Sequence, residues 1–123
     1  MILFKAKDPQ KLSAWYTKHL GIAPAGDGVV SFRWRSAAPI RTGYTVWSLF
    51  PETTRYFDPS PAPFMINYRV ANLDAVLAAL RHEGVTVDER TEKSEFGRFG
   101  WVTDPEGNRI ELWEPPNGSS TPA

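Results

Sequence analysis

Few side chains in this sequence have the chemistry of a catalytic nucleophile or a strong metal ligand. The 123 residues include 0 cysteines, which excludes disulfides, thiolate metal sites and cysteine nucleophiles. The 2 histidines, His19 and His82, lie at the ends of segments with helical apolar spacing, where a helix C-terminus favours a cation. We therefore expect both to be solvated. No histidine is placed as a base for a serine or threonine nucleophile, and no glycine-rich phosphate loop precedes a helix.

Aromatic residues are numerous, at 13% of the chain. Most such side chains form core, because a small domain needs large groups to bury enough area. They can also line a ligand pocket with stacking surfaces. The segment Ser94–Trp101 places two glycines beside aromatic residues and Arg98. This suits either a loop that approaches a ligand closely or a strand with a bulge.

The charge balance narrows the classes of partner. With 14 basic and 14 acidic residues the formal net charge is +0, and no basic stripe indicates a nucleic acid. No apolar run approaches the ~20 residues of a membrane span. The opening residues MILFKAKD do not resemble a signal peptide. We therefore predict a cytoplasmic protein with neither a nucleic-acid nor a membrane partner.

The elements that must position any site occur twice along the chain. Ile2–Ala6 predicts a strand, and Asp8 followed by proline predicts the start of a helix that Gly21 ends. A shift of 64 residues lays Asp8 on Asn72, the predicted N-cap of a second helix. The later strand candidates are Val29–Arg35, Tyr44–Phe50, Val85–Val87, Gly97–Thr103 and Arg109–Trp113.

This repeat predicts an α+β fold of two tandem βαβββ modules. Module 1 spans about residues 1–58, a proline-rich linker covers 58–63, and module 2 spans about 64–115, followed by a flexible tail at 116–123. Neither half buries a sheet face alone at ~60 residues. We therefore expect one domain with a curved, mixed eight-stranded sheet, helices outside and a ligand cleft on the concave side.

The arrangement and its motifs resemble the glyoxalase/bleomycin resistance protein/dioxygenase superfamily, also called the vicinal oxygen chelate superfamily. The strongest match is WVTDPEGNRIELWE at 101–114, and Lys7-Asp8-Pro9 with the following helix matches the first module. The resemblance covers most of the chain and implies a glyoxalase-like fold. Its members include glyoxalases, ring-cleaving dioxygenases, epimerases and metal-free antibiotic-binding proteins, so the fold does not select a function.

The resemblance also implies where metal ligands would lie, two per module. The first-strand positions map to Met1 and Met65, whose thioethers are soft, weak ligands. The last-strand positions map to Glu111 in module 2 and to Thr45 or Trp47 in module 1. Glu111 is then the only candidate for a metal ligand and the only catalytic candidate, and the metal role is not the favoured one. A cofactor is not expected, and a divalent metal is the alternative.

Strand alternation from these positions predicts which side chains face the cleft. With Arg98 and Trp101 taken from the Ser94–Trp101 segment, the side chains expected to bind a ligand are Trp47, Met65, Asn67, Arg69, Arg98, Trp101 and Glu111. Apolar walls with a few convergent polar groups are typical of a small-molecule pocket. An arginine there would suit a carboxylate or a phosphate.

Three functions follow as hypotheses. The leading one is a protein that binds a small organic molecule in an aromatic cleft without an intact metal site. The second is a metal-dependent lyase or dioxygenase of the same superfamily with atypical ligands. The third is a dimeric interaction domain with no ligand. Whether the chain is an enzyme stays open, and the resemblance implies a homodimer in each case.

Overall fold

The computed structural model describes residues 1–26, 28–35 and 42–116, and the predicted tail at 117–123 lies outside them. Module 1 contains strand β1 (Ile2–Ala6), helix α1 (Pro9–Leu20), strand β2 (Val29–Arg35) and strand β3 (Thr42–Pro51). Module 2 contains strand β4 (Phe64–Arg69), helix α2 (Leu73–His82), and strands β5 (Thr86–Ser94), β6 (Gly97–Thr103) and β7 (Arg109–Glu114).

Both helices begin where the sequence predicts, because a side chain caps each first turn. The Asp8 carboxylate accepts from the Lys11 N–H, and the Asn72 side chain accepts from the Ala75 N–H. Gly21 ends α1 in the left-handed conformation, with φ 69°. The helix α2 ends at His82, two residues before Gly84.

All strands of the described chain form one mixed sheet in the order β2-β3-β1-β4-β7-β6-β5. The modules meet at its centre, where β1 and β4 pair antiparallel and Leu3 lies opposite Met65. The parallel pairs β1·β3 and β4·β7 flank this junction. The fold prediction is therefore confirmed as a glyoxalase-like α+β sheet.

The structure shows 7 strands among the described residues, so the eighth strand of the prediction is not confirmed. In module 2, β5 follows α2 and pairs with β6. In module 1, the described part of 21–28 contains a turn in which the Gly28 N–H donates to the Ala25 carbonyl. Pro24 removes a donor from the same short segment. On the module 1 side, β2 is therefore the edge strand of the sheet.

Two apolar clusters pack on opposite faces of the sheet. Helix α2 covers one face with Leu73 and Leu77, which pack against Val102 and Leu112. The other face, turned away from the helices, buries Leu3, Phe57, Met65 and Trp101. This second face is the concave face on which the sequence predicts a cleft.

The helix-facing side of the two central strands is less well covered. Its partly exposed side chains, Ile2, Phe64, Ile66 and Tyr68, form an apolar strip. An apolar strip of this kind is a candidate surface for the predicted homodimer, which stays a prediction. No helix among the described residues has the length and apolar character to cross a membrane.

Candidate functional site

A cavity of about 280 Å³ opens on the concave face of the sheet. Strands from both modules and the segment after β3 contribute to it. Its lining residues are Met1, Leu3, Val29, Val46, Ser48, Phe50, Tyr56, Phe96, Phe99, Glu111 and Trp113. Apolar side chains predominate, and Glu111 is the one carboxylate among these residues.

The Glu111 side chain is only 1% exposed and is held by donors from three elements. The Asn67 amide donates to Oε1 at 2.7 Å. The Tyr56 hydroxyl donates to Oε2 at 2.5 Å, and the Trp101 indole N–H donates to the same oxygen at 3.0 Å. A buried carboxylate needs such partners, because leaving water without them costs several kcal/mol. All three donors are formally neutral groups.

Strand register explains why these groups converge. Asn67 lies opposite Glu111 across the parallel pair β4·β7, and Trp101 lies opposite it across the antiparallel pair β6·β7. Directly opposed residues project to the same face of a sheet. Tyr56 comes instead from the segment between the modules, and its ring stacks on Phe50 with centroids 5.5 Å apart. Burial, followed by the charge of Glu111, raises the pKa of Tyr56 above its ordinary value.

Two arginines lie next to this network, each with its own carboxylate. The guanidinium groups of Arg109 and Arg90 lie 5.0 Å and 5.8 Å from the Trp101 ring centroid. Arg109 pairs with Asp88 at 3.0 Å, and Arg90 pairs with Glu92. Neither arginine is among the lining residues of the cavity. Their charges are thus largely compensated outside it.

The structure brings together four of the residues that the sequence singled out. Met65, Asn67, Trp101 and Glu111 are all buried on the concave side. Arg69 is exposed at the end of β4, with its guanidinium 5.9 Å from the Trp113 ring centroid. It therefore lies close to a wall of the cavity without being among the lining residues.

Two of the predicted cleft residues lie on the opposite face. The Trp47 ring contacts Phe4 and Tyr16, with centroids 5.2 Å and 5.0 Å away. The cleft-facing position predicted in β3, Thr45 or Trp47, is therefore wrong by one residue. Arg98 makes two hydrogen bonds to Asp74 of α2, at 2.7 Å and 2.8 Å. Because side chains alternate along β6, Phe99 and Trp101 lie on the concave face and Arg98 does not.

Several lining residues were missed by reasoning from the sequence. Ser48 lies opposite Leu3 in β1·β3, as Glu111 lies opposite Asn67 in β4·β7. Since Leu3 corresponds to Asn67, Ser48 is the counterpart of Glu111. Aligning WSLF at 47–50 with IELW at 110–113 would have found it. Tyr56 lies outside every predicted strand and had no such signal.

The other titratable candidates lie away from the cavity. His19 and His82 are exposed in the last turns of α1 and α2. Among the described residues, no group of three or more His, Cys, Asp or Glu side chains is placed to hold a metal ion. Among the lining residues Glu111 is therefore the one carboxylate, and its side-chain donors are neutral.

Comparisons with solved structures show the same fold. A protein described as NAD-dependent benzaldehyde dehydrogenase from Legionella pneumophila has a TM-score of 0.62 at 15% identity, covering 93% of this chain and 96% of that one. A glyoxalase/bleomycin resistance protein/dioxygenase superfamily member from Vibrio splendidus 12B01 has a TM-score of 0.59 at 10% identity, covering 93% of this chain and 96% of that one.

Methylmalonyl-CoA epimerase from Mycobacterium tuberculosis has a TM-score of 0.55 at 22% identity, covering 93% of this chain and 85% of that one. At these identities the likeness shows the fold alone. No curated protein matches the sequence. The model of the Glyoxalase/Bleomycin resistance protein/Dioxygenase superfamily matches residues 2–112. The chain therefore belongs to the glyoxalase/bleomycin resistance protein/dioxygenase superfamily.

Proposed function

We propose that this protein binds a small, largely apolar organic molecule in the concave cavity, without a metal ion. The observation that carries the proposal is the buried Glu111 carboxylate, held by Tyr56, Asn67 and Trp101 beside an apolar cavity of about 280 Å³. Apolar walls with a few fixed polar groups favour an organic ligand, which the polar groups then orient.

The size of the cavity limits the ligand. An apolar cavity of ~150 Å³ in another protein holds benzene, so about 280 Å³ suits one ring with a short side chain. Aromatic walls favour a flat or unsaturated group, because offset and edge-on ring contacts add to the area that is buried. Phe96, Phe99 and Trp113 supply such walls from module 2, and Phe50 and Tyr56 face them from module 1.

The donor set on this face does not suit a hard divalent metal. Both oxygens of Glu111 already accept hydrogen bonds, so at most one of its acceptor positions is open to a metal ion. The other mapped positions carry the Met1 and Met65 thioethers and, once the β3 position is corrected by one residue, the Ser48 hydroxyl. Soft thioethers are poor ligands for Mg²⁺ or Mn²⁺. The chemistry of these donors favours the metal-free proposal over a metal-dependent lyase or dioxygenase.

Two matched phenylalanine variants test where a ligand binds. Phe96 and Phe64 are similarly exposed, at 45% and 49%, but only Phe96 lines the cavity. For any compound that raises the Tm of the protein in a screen of small aromatic molecules, Phe96→Ala should raise the Kd about tenfold, since one aromatic contact contributes ~1.4 kcal/mol. Titration calorimetry measures the change.

Phe64→Ala is the control, because Phe64 lies on the helix-facing side of the sheet. It should leave the Kd within about twofold, as expected for a side chain remote from the ligand. Equal weakening by the two variants would place the ligand elsewhere. A screen in which no compound raises the Tm would argue for the third hypothesis, an interaction domain without a ligand.

A further inference from the structure

The hydrogen bonds of Glu111 leave one of its oxygens only partly used. Oε2 accepts from both Tyr56 and Trp101, whereas Oε1 accepts from Asn67. A carboxylate has about four acceptor positions, two on each oxygen. With three donors in place, the remaining position is on Oε1. Glu111 lines the cavity, so a molecule there that offers a hydrogen-bond donor can complete the set.

Glu111 also lacks a cationic side chain as its partner. None of the ion pairs among the described residues includes Glu111. The nearby guanidinium groups of Arg90 and Arg109 are paired with Glu92 and Asp88. Neutral hydrogen bonds stabilise a buried carboxylate less than a cationic partner does. The charge of Glu111 is therefore incompletely balanced at the cavity.

The Met1 amino group is a further titratable group at the cavity, which Met1 helps to line. It donates to the Asn67 carbonyl oxygen at 3.1 Å and not to the Glu111 carboxylate. Burial lowers the pKa of this amine, and the Glu111 charge acts in the opposite direction. Because this amine makes its hydrogen bond to a carbonyl oxygen, it does not supply the missing cationic donor to Glu111.

The walls of the cavity favour a cation as well. Five aromatic side chains, Phe50, Tyr56, Phe96, Phe99 and Trp113, line it together with Glu111. Aromatic faces carry partial negative charge and attract ammonium groups, most strongly where water is excluded. A carboxylate ligand would instead meet the buried charge of Glu111 and be repelled.

We infer that the ligand is a protonated amine attached to an apolar or aromatic body, with its ammonium group donating to Oε1 of Glu111. The inference rests on the proposed binding function and narrows its ligand class. The body of the ligand fills the aromatic part of the cavity. The ammonium group supplies both the missing donor and the missing positive charge.

Three probes of nearly equal shape test this inference: phenethylamine, phenethyl alcohol and phenylacetate. Their Kd values are measured by titration calorimetry at neutral pH in the presence of a chelator. The amine should bind at least about tenfold more tightly than the alcohol, because only the ammonium group adds Coulomb attraction to the buried carboxylate, an attraction that is stronger away from water. The acid should bind more weakly than the alcohol.

The variant Glu111→Gln removes the charge and should reduce the preference for the amine over the alcohol to within about threefold. Glu106→Gln, at an exposed position of the turn before β7, should keep the full preference. If Glu111→Gln does not fold, the comparison of the three probes on the parent protein still decides whether the amine is preferred.

The outcomes separate this inference from the function on which it rests. Equal binding of amine and alcohol, or tighter binding of the acid, would overturn the amine and leave cavity binding in place. The amine would also be overturned if none of the three probes bound while a compound without an amino group bound in a manner sensitive to Phe96→Ala. Failure of every compound would overturn both.

Discussion

Replacing Glu111 with leucine is expected to lower the free energy of unfolding by about 3 kcal/mol, because it leaves several buried donors without an acceptor. The Tyr56 hydroxyl, the Asn67 amide and the Trp101 indole N–H all donate to this carboxylate. Each buried group left unpaired costs ~1–3 kcal/mol. Removing the cost of burying the charge offsets part of this loss. Urea denaturation followed by tryptophan fluorescence measures the difference.

Graded variants show whether the hydrogen bonds are the cause. Tyr56→Phe deletes one donor and leaves Glu111 in place, so it should cost only ~1 kcal/mol. Glu106→Leu, at an exposed turn position, should change stability by no more than ~0.5 kcal/mol. A Glu111→Leu protein at least as stable as the parent would contradict this account. Burying the carboxylate would then cost more free energy than its hydrogen bonds contribute to stability.

Replacing Gly97 with alanine is expected to cost roughly 2–5 kcal/mol, the sum of a backbone term and an overlap term. Gly97 has φ 117°, a conformation that residues with a side chain rarely adopt. A Cβ at this position would overlap the carbonyl oxygen of Glu114 and lie 3.0 Å from the Trp113 indole nitrogen. The clash with backbone cannot be relieved by rotating a side chain.

Gly84→Ala separates the two terms. Gly84 has φ 83°, and a Cβ there would meet nothing within 4 Å. The Gly84→Ala variant should therefore lose only the backbone contribution to stability, about 1–2 kcal/mol. Equal losses of stability in the two variants would show that the overlap at Gly97 is relieved. Chemical denaturation under identical conditions gives both values.

The Gly97 variant also bears on the cavity. The Trp113 indole N–H donates to the carbonyl oxygen of Phe96, the residue before Gly97, at 2.7 Å. Phe96 and Trp113 both line the cavity. A displaced hairpin tip would move an aromatic wall, so we expect weaker ligand binding together with the loss of stability.

The sequence predicts the fold well where local signals agree with the overall pattern. Asp8 and Asn72 predict the two helix starts, and the 64-residue shift between them predicts the duplication. The second module carries the clearest strand pattern, so its register and the cleft-facing positions of Asn67 and Glu111 follow. Trp101 was found through the family motif and its neighbouring glycine.

The prediction of the site fails where a side chain's position depends on the exact strand register or on tertiary packing. A shift of one position in a strand moves every side chain to the other face, which is why Trp47 was expected in the cleft instead of Ser48. Arg98 was selected for its chemistry, yet strand alternation directs it to Asp74 on the helix side. Tyr56 comes from an irregular segment, and only tertiary packing brings it to Glu111.

The central claim is that Glu111 and its donors form part of an organic binding site and not a metal centre. The most direct measurement follows the indole N–H signal of Trp101 by NMR, assigned with Trp101→Phe. This N–H lies 3.0 Å from the Glu111 carboxylate, whereas Trp47 lies on the opposite face and serves as the internal reference. Mn²⁺ broadens signals close to its binding site.

We predict that a ligand which raises the Tm shifts the Trp101 signal in the presence of a chelator and leaves the Trp47 signal in place. We also predict that Mn²⁺, added without chelator, broadens the Trp101 signal no more than the Trp47 signal. Selective loss of the Trp101 signal at near-stoichiometric Mn²⁺ would contradict the claim, because it would place a metal ion at Glu111.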